Sequence, residues 1–95
     1  MSDMIERTDD DAGGRYALGL GAGESELTYR WRDGRSVMVA DHTFTPPAAR
    51  GQGAAARLVE RVVADARAEG FRIDPACPYV AVWFERHPDA ADVRA

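Results

Sequence analysis

Three sets of residues are of types suited to chemistry. The first is Arg50-Gly51-Gln52-Gly53-Ala54-Ala55, placed where a Pro-Pro break meets the start of a helical pattern. Gly51 and Gly53 let backbone amides approach a ligand without Cβ obstruction, and Ala54 and Ala55 keep the helix mouth open. Free amides and the positive end of the helix dipole then converge on one spot, and Arg50 adds a charge. A phosphate fits such a spot; a helix-opening turn with two convenient glycines is the other reading. The second is Cys77, the single cysteine, just before a helical stretch that starts near Pro78. A thiolate is a strong nucleophile, and a helix N-terminus or a neighbouring base lowers its pKa. A small buried hydrophobe is the alternative. The third is His42, either a base or a satisfied structural histidine.

Hydropathy periodicity indicates the elements that must hold these residues. Met1 to Gly14 is acidic and glycine-dotted and reads as a flexible terminus. Arg15–Leu20 alternates, Gly21–Glu24 has turn chemistry, and Ser25–Trp31 alternates again with Leu27, Tyr29 and Trp31 on one face. Gly19, Gly21 and Gly23 do not make a dinucleotide fingerprint, because a strand follows them rather than a helix. Asp33-Gly34 is a hairpin-turn pair. Strict alternation over Ser36–Thr45 puts Val37, Val39, Asp41, Thr43 and Thr45 on one face, and Met38, Ala40, His42 and Phe44 on the other. Pro46 and Pro47 end that strand, since neither donates a backbone hydrogen bond.

Ala54 to Glu69 then carries Ala55, Leu58, Val59, Val62, Val63 and Ala66 at helical spacing, with Gly70 as its cap. Phe71–Asp74 reads as a short parallel strand, which completes a βαβ unit. A second helix spans Tyr79–Arg86, where Tyr79, Trp83 and Phe84 read as core or ligand-packing residues. Asp89 to Ala95 reads as a polar tail. The expectation is a single domain over 1–95 of α+β (mixed α/β) class: a three-strand antiparallel meander, a parallel βαβ addition and a C-terminal helix.

Composition narrows the chemistry. The chain has 95 residues, a net charge of −4 and an ordinary globular balance of 45% hydrophobic and 29% charged residues. An acidic balance argues against nucleic-acid binding, which relies on cations to neutralise phosphates. No apolar run reaches a membrane span and the N-terminus lacks signal-peptide shape, so a cytoplasmic location is expected. One cysteine and two histidines exclude an internal disulfide and make a zinc cluster improbable. Every basic residue is Arg, which rules out a Lys nucleophile or a phosphate-loop Lys.

Thr43-Phe44-Thr45-Pro46-Pro47-Ala48-Ala49-Arg50-Gly51-Gln52-Gly53-Ala54-Ala55 resembles the acyl-CoA signature of the GNAT superfamily of N-acetyltransferases. His42-Thr43, Cys77-Pro78-Tyr79-Val80 and Arg86-His87-Pro88 resemble its minimal, single-domain YjdJ-type branch, and the likeness runs from about Arg15 to Val93. It implies a strand that splays from its parallel neighbour and pairs through Thr43, Phe44 and Thr45 with the pantetheine arm of coenzyme A. Arg50, Gly51, Gln52, Gly53, Ala54 and Ala55 would hold the pyrophosphate, and the thioester would lie near Cys77 and the last helix. The implied activity is transfer of acetyl from acetyl-CoA to an amine; a CoA or acyl-CoA-binding module with little turnover is the alternative.

Two residues depart from the pattern. Phe84 stands where many relatives place a proton-donating Tyr, and can pack against the cofactor but not act as an acid. Phe44 stands where many minimal relatives have a carboxylate. The catalytic candidates are therefore Cys77, as nucleophile, proton donor or inert lining, and His42 as base.

Overall fold

The computed structural model describes residues 5–21 and 23–95. Five strands form one sheet in sequential order: β1 (Ile5–Asp9), β2 (Gly13–Gly19), β3 (Glu24–Arg32), β4 (Val37–Phe44) and β5 (Arg72–Asp74). The first four are antiparallel neighbours, and β5 joins β4 in parallel with Val37 opposite Arg72 and Val39 opposite Asp74. Helix α1 (Ala54–Glu69) connects β4 to β5, and α2 (Pro78–Arg86) follows; short 3-10 turns cover Pro47–Ala49 and Pro88–Val93. The α+β class, the βαβ unit and the C-terminal helix are as expected, but the meander has four strands instead of three.

One core cluster joins Leu27, Tyr29, Met38 and Ala40 of the sheet to Leu58, Val59 and Val62 of α1 and to Val80, Trp83 and Phe84 of α2. Both helices therefore cover the same sheet face. The opposite face carries Arg15, Glu26, Thr28, Arg30 and Asp41, tied to one another in pairs. The apolar stripe of α1 is buried as its spacing predicts, and it opens on Ala54 rather than Ala55. Gly70 closes the helix in the left-handed conformation, its amide bonded to Ala66 O at 2.8 Å.

Three sequence expectations need correction. The flexible-terminus reading of 1–14 fails from Ile5 onward, where β1 pairs along its full length with β2; Met1 to Met4 lie outside the described residues, as does Ala22 in the expected Gly21–Glu24 turn. With one apolar residue, β1 has no hydrophobic alternation to detect. Charge holds it instead: Arg7 reaches Glu69 at 2.6 Å and Asp65 at 3.3 Å, and Asp9 accepts from Tyr29 Oη, Trp31 Nε1 and Arg35. The polar-tail reading of Asp89–Ala95 also fails. Ala90 and Val93 are buried, and Ala95 N–H bonds to Ile73 O at 2.7 Å, covering the outer edge of β5.

The third correction concerns β4. Thr28 pairs with His42 while Tyr29 pairs with Ala40, so Asp41 is an extra residue in the strand. Such a β-bulge reverses the in–out alternation beyond it. His42 and Phe44 now share the open face with Thr28 and Glu26, and Thr43 turns to the helix-covered face with Leu27 and Ala40.

Candidate functional site

At the end of β4 the chain crosses the 3-10 turn and enters the segment Arg50 to Gly53. Gly51 and Gly53 have φ of 86° and 74°, left-handed values that strain any residue with a Cβ. No atom lies within 4 Å of where either Cβ would stand, so the backbone shape requires glycine and crowding does not. Gly53 is the N-cap of α1, with no side-chain cap and no acidic residue in the first turn. The first intrahelical donor is Arg57, bonded to Gly53 O at 3.1 Å. The amides ahead of it are left free for an anion. Arg50 ties the turn back to the strand by donating from Nε to Thr45 O at 3.0 Å, and its other guanidinium nitrogens have no partner among the described residues.

These amides open into a cleft of about 340 Å³. Its walls are Thr43 and Thr45 from the strand side, Ala49, Arg50, Gly51 and Gly53 from the turn, Ala54 and Ala55 from α1, and Tyr79 from α2. Ladder pairing between β4 and β5 stops at Val39 and Asp74, and Cys77 N–H to Ala40 O at 2.8 Å is the last bridge between the two arms. No backbone hydrogen bond joins them beyond it among the described residues, and the cleft is lined by Thr43 and Thr45 on one side and Tyr79 on the other.

Cys77 stands at that last bridge. Its side chain is buried at the N-cap of α2, and Sγ lies 3.5 Å from Thr43 Oγ1. Burial pushes the thiol pKa up. The Thr43 hydroxyl and the nearby backbone amides of Val80 and Tyr79, which form no capping hydrogen bond, outweigh that effect and leave the pKa below the usual thiol value. Tyr79, two residues on, is 41% exposed, and its hydroxyl is pushed up by burial and then by the Glu60 carboxylate. It therefore keeps its proton at neutral pH.

The fold thus gathers Thr43, Thr45, Arg50, Gly51, Gly53, Ala54 and Ala55 around one cleft, with Cys77 reached through Thr43. It leaves four other candidates outside. His42 is exposed on the far face of the sheet, Phe44 is 45% exposed beside it, and Gln52 points to solvent. Phe84 is buried against Trp83 and Arg94 and does not line the cleft. Tyr79 is the cleft residue that the sequence reading gave too little weight. Its signal was available: Val80, Trp83 and Phe84 share a helical stripe that excludes Tyr79.

Residues 15–93 match the family of GCN5-related N-acetyl-transferases. No curated protein sequence matches the chain. Among solved structures, the chain is similar to the solution structure of a GCN5-like candidate N-acetyltransferase from Staphylococcus aureus. The TM-score is 0.70 and the identity 24%, over 100% of this chain and 91% of that one. At that identity the likeness speaks to the fold. The family match is the stronger finding, because it runs unbroken from the second strand to buried Val93 and takes in both the glycine turn and Cys77. On that ground the chain belongs to the GCN5-related N-acetyltransferase family.

Proposed function

We propose that the chain binds acetyl-CoA in the β4–α1 cleft and transfers the acetyl group to an amine. The carrying observation is the cleft itself, which links the free amides of the α1 turn to the Thr43–Cys77 contact. Amides from Gly51 to Ala55, with Arg50, hold the pyrophosphate. Thr43 and Thr45 flank the pantetheine arm, which takes the place of the strand partner that β4 lacks on its β5 side beyond Ala40. This arm brings the thioester to Cys77, and held geometry of that kind supplies much of the rate enhancement of a transfer reaction.

Cys77 acts as the acyl carrier. Its thiolate attacks the thioester carbonyl, a new C–S bond forms, and the bond to the CoA sulfur breaks. Tyr79, which keeps its proton at neutral pH, supplies it to the leaving sulfur. The amine then attacks the S-acetyl group on Cys77, a C–N bond forms, and the Cys77 thiolate is released. Because the bulge turns His42 away from Cys77, the proton lost by the amine passes to solvent, and solvent returns a proton to the Tyr79 phenolate.

A second reading, a CoA-binding module with little turnover, is favoured by one observation. His42, Phe44 and Phe84 lie outside the cleft, and no His, Asp or Glu among the described residues lines it to act as a base. Intact-protein mass spectrometry after acetyl-CoA treatment separates the two readings. Transfer requires an acetyl adduct that Cys77→Ala abolishes and that a panel of amines discharges. CoA binding with neither adduct nor amine-dependent thiol release leaves the binding module.

A further inference from the structure

The cleft lies on the helix-covered side of the sheet, and neither helix covers the other face. Two rows cross that open face toward the end of β4. Glu6, Ala17, Glu26 and Phe44 lie side by side in one, and Thr8, Arg15, Thr28 and His42 in the next. Phe44 and His42 are exposed, and they stand across the strand from the Thr43–Cys77 contact. Beyond Ala40, β4 has no ladder partner on its β5 side, and an unpaired strand edge can be approached from either face. The two approaches differ in charge. The cleft presents free amides, a helix N-terminus and Arg50, all electropositive. The open face beside Phe44 presents Glu6, Glu24 and Glu26 against Arg15, which is already held at 3.1 Å by Glu24 and 2.9 Å by Glu26. Further along, Arg30 is matched by Asp41, so the surplus of carboxylates sits at the β4 end.

We propose that the acceptor amine reaches Cys77 from this open face and is borne on a basic polypeptide segment. The proposal rests on the acyl-carrier reading of Cys77 and names the acceptor that reading leaves unspecified. Electrostatics separates the two substrates. An anionic donor is drawn to the positive cleft, which repels a cationic acceptor, and the acidic face attracts that acceptor. The amine must be neutral to attack, so its own charge cannot hold it in place. Cationic neighbours on the same chain keep it on the acidic face while it gives its proton to solvent. The surface argues for a polypeptide over a small amine. Small molecules favour concave sites, whereas this is an uncovered sheet surface. Glu6 and Glu26 stand two strands apart, about 10 Å at the usual strand spacing, which is too wide for one ammonium and suits residues spaced along a chain. Small Ala17 lies between them and leaves the passage low. At the end of the row, Phe44 gives the aliphatic stem of an amine-bearing side chain an apolar surface to lie on.

Discharge of S-acetyl-Cys77, followed by intact-protein mass spectrometry, tests this. The acceptors are two peptides of equal length, each with a single lysine, flanked by arginines in one and by glutamates in the other, together with free lysine. The arginine-flanked peptide should discharge the adduct at least about tenfold faster than either alternative at low salt, and its advantage should shrink as salt rises. Glu6→Arg should slow that peptide about threefold or more, whereas Glu85→Arg, the same charge change on exposed α2, should not. Phe44→Ser should slow it as well. Circular dichroism melting checks the fold of each variant, and the wild-type acceptor series stands without them. Equal discharge by the two peptides, faster discharge by free lysine, or equal slowing by Glu6→Arg and Glu85→Arg overturns the open-face route. Failure of the wild type to form any Cys77 adduct is a different result: it overturns the acyl-carrier reading, and the acceptor route with it.

Discussion

The two ends of the cleft are built in different ways. At the α1 end, donors come from the backbone of a contiguous segment, Arg50 to Ala55, shaped by two left-handed glycines and the start of α1. At the α2 end, Cys77 and Thr43 come from segments 34 residues apart, joined by a 3.5 Å contact that exists only because β4 is bulged at Asp41. The first end is a local device for holding charge. The second is a tertiary device for tuning one sulfur. Under the acetyl-CoA proposal, a protein so arranged could lose its chemistry and keep its ligand, whereas the reverse would be barred, because the phosphate anchor would place the thioester.

That asymmetry is open to attack, first at the anchor. Gly53→Glu should weaken CoA binding by at least about a hundredfold in calorimetry, since left-handed strain of roughly 1–2 kcal/mol joins a carboxylate set against the phosphates. Retained binding would show that the phosphates lie elsewhere. Cys77→Ala makes the opposite separation. Amine-dependent thiol release should fall on the order of a hundredfold, while the CoA Kd moves less than about threefold. A matching loss of binding would merge the two ends into one.

Tyr79→Phe probes the junction between them. It should slow thiol release about tenfold at unchanged CoA affinity, less than most acid catalysts contribute because a thiolate leaves readily. Thr43→Val is the mildest change. The Thr43 hydroxyl helps hold the Cys77 thiol pKa below its usual value, so its removal raises that pKa. The pH profile of Cys77 alkylation should then shift to higher pH and the rate at neutral pH should fall; an unmoved profile would leave the helix amides as the whole cause.

Legibility in the sequence divides along the same line. Helix α1 runs from Ala54 to Glu69, the bounds its periodicity and flanking glycines indicate, and β5 and α2 also lie where predicted. The glycine turn was legible because its geometry is dictated by the residues that compose it. β1 was not, since a strand held by Arg7 and Asp9 to Glu69, Asp65 and Tyr29 leaves no apolar period to read. Nor was the facing of His42, Thr43 and Phe44. Alternation assumes an unbroken pleat, and one extra residue shifts every side chain beyond it to the other face.

By itself, then, the sequence determined the order of elements from β2 to α2, the helix-opening glycine turn and the lack of Lys and of a second Cys. These depend on residue type and near neighbours, which a linear pattern records. Tertiary structure alone decided that Thr43 and not His42 meets Cys77, that Tyr79 lines the cleft, and that the charged segments Ile5–Asp9 and Asp89–Ala95 are bound to the sheet. Each of those depends on register and on packing between distant segments, where a single bulge or ion pair outweighs local preference.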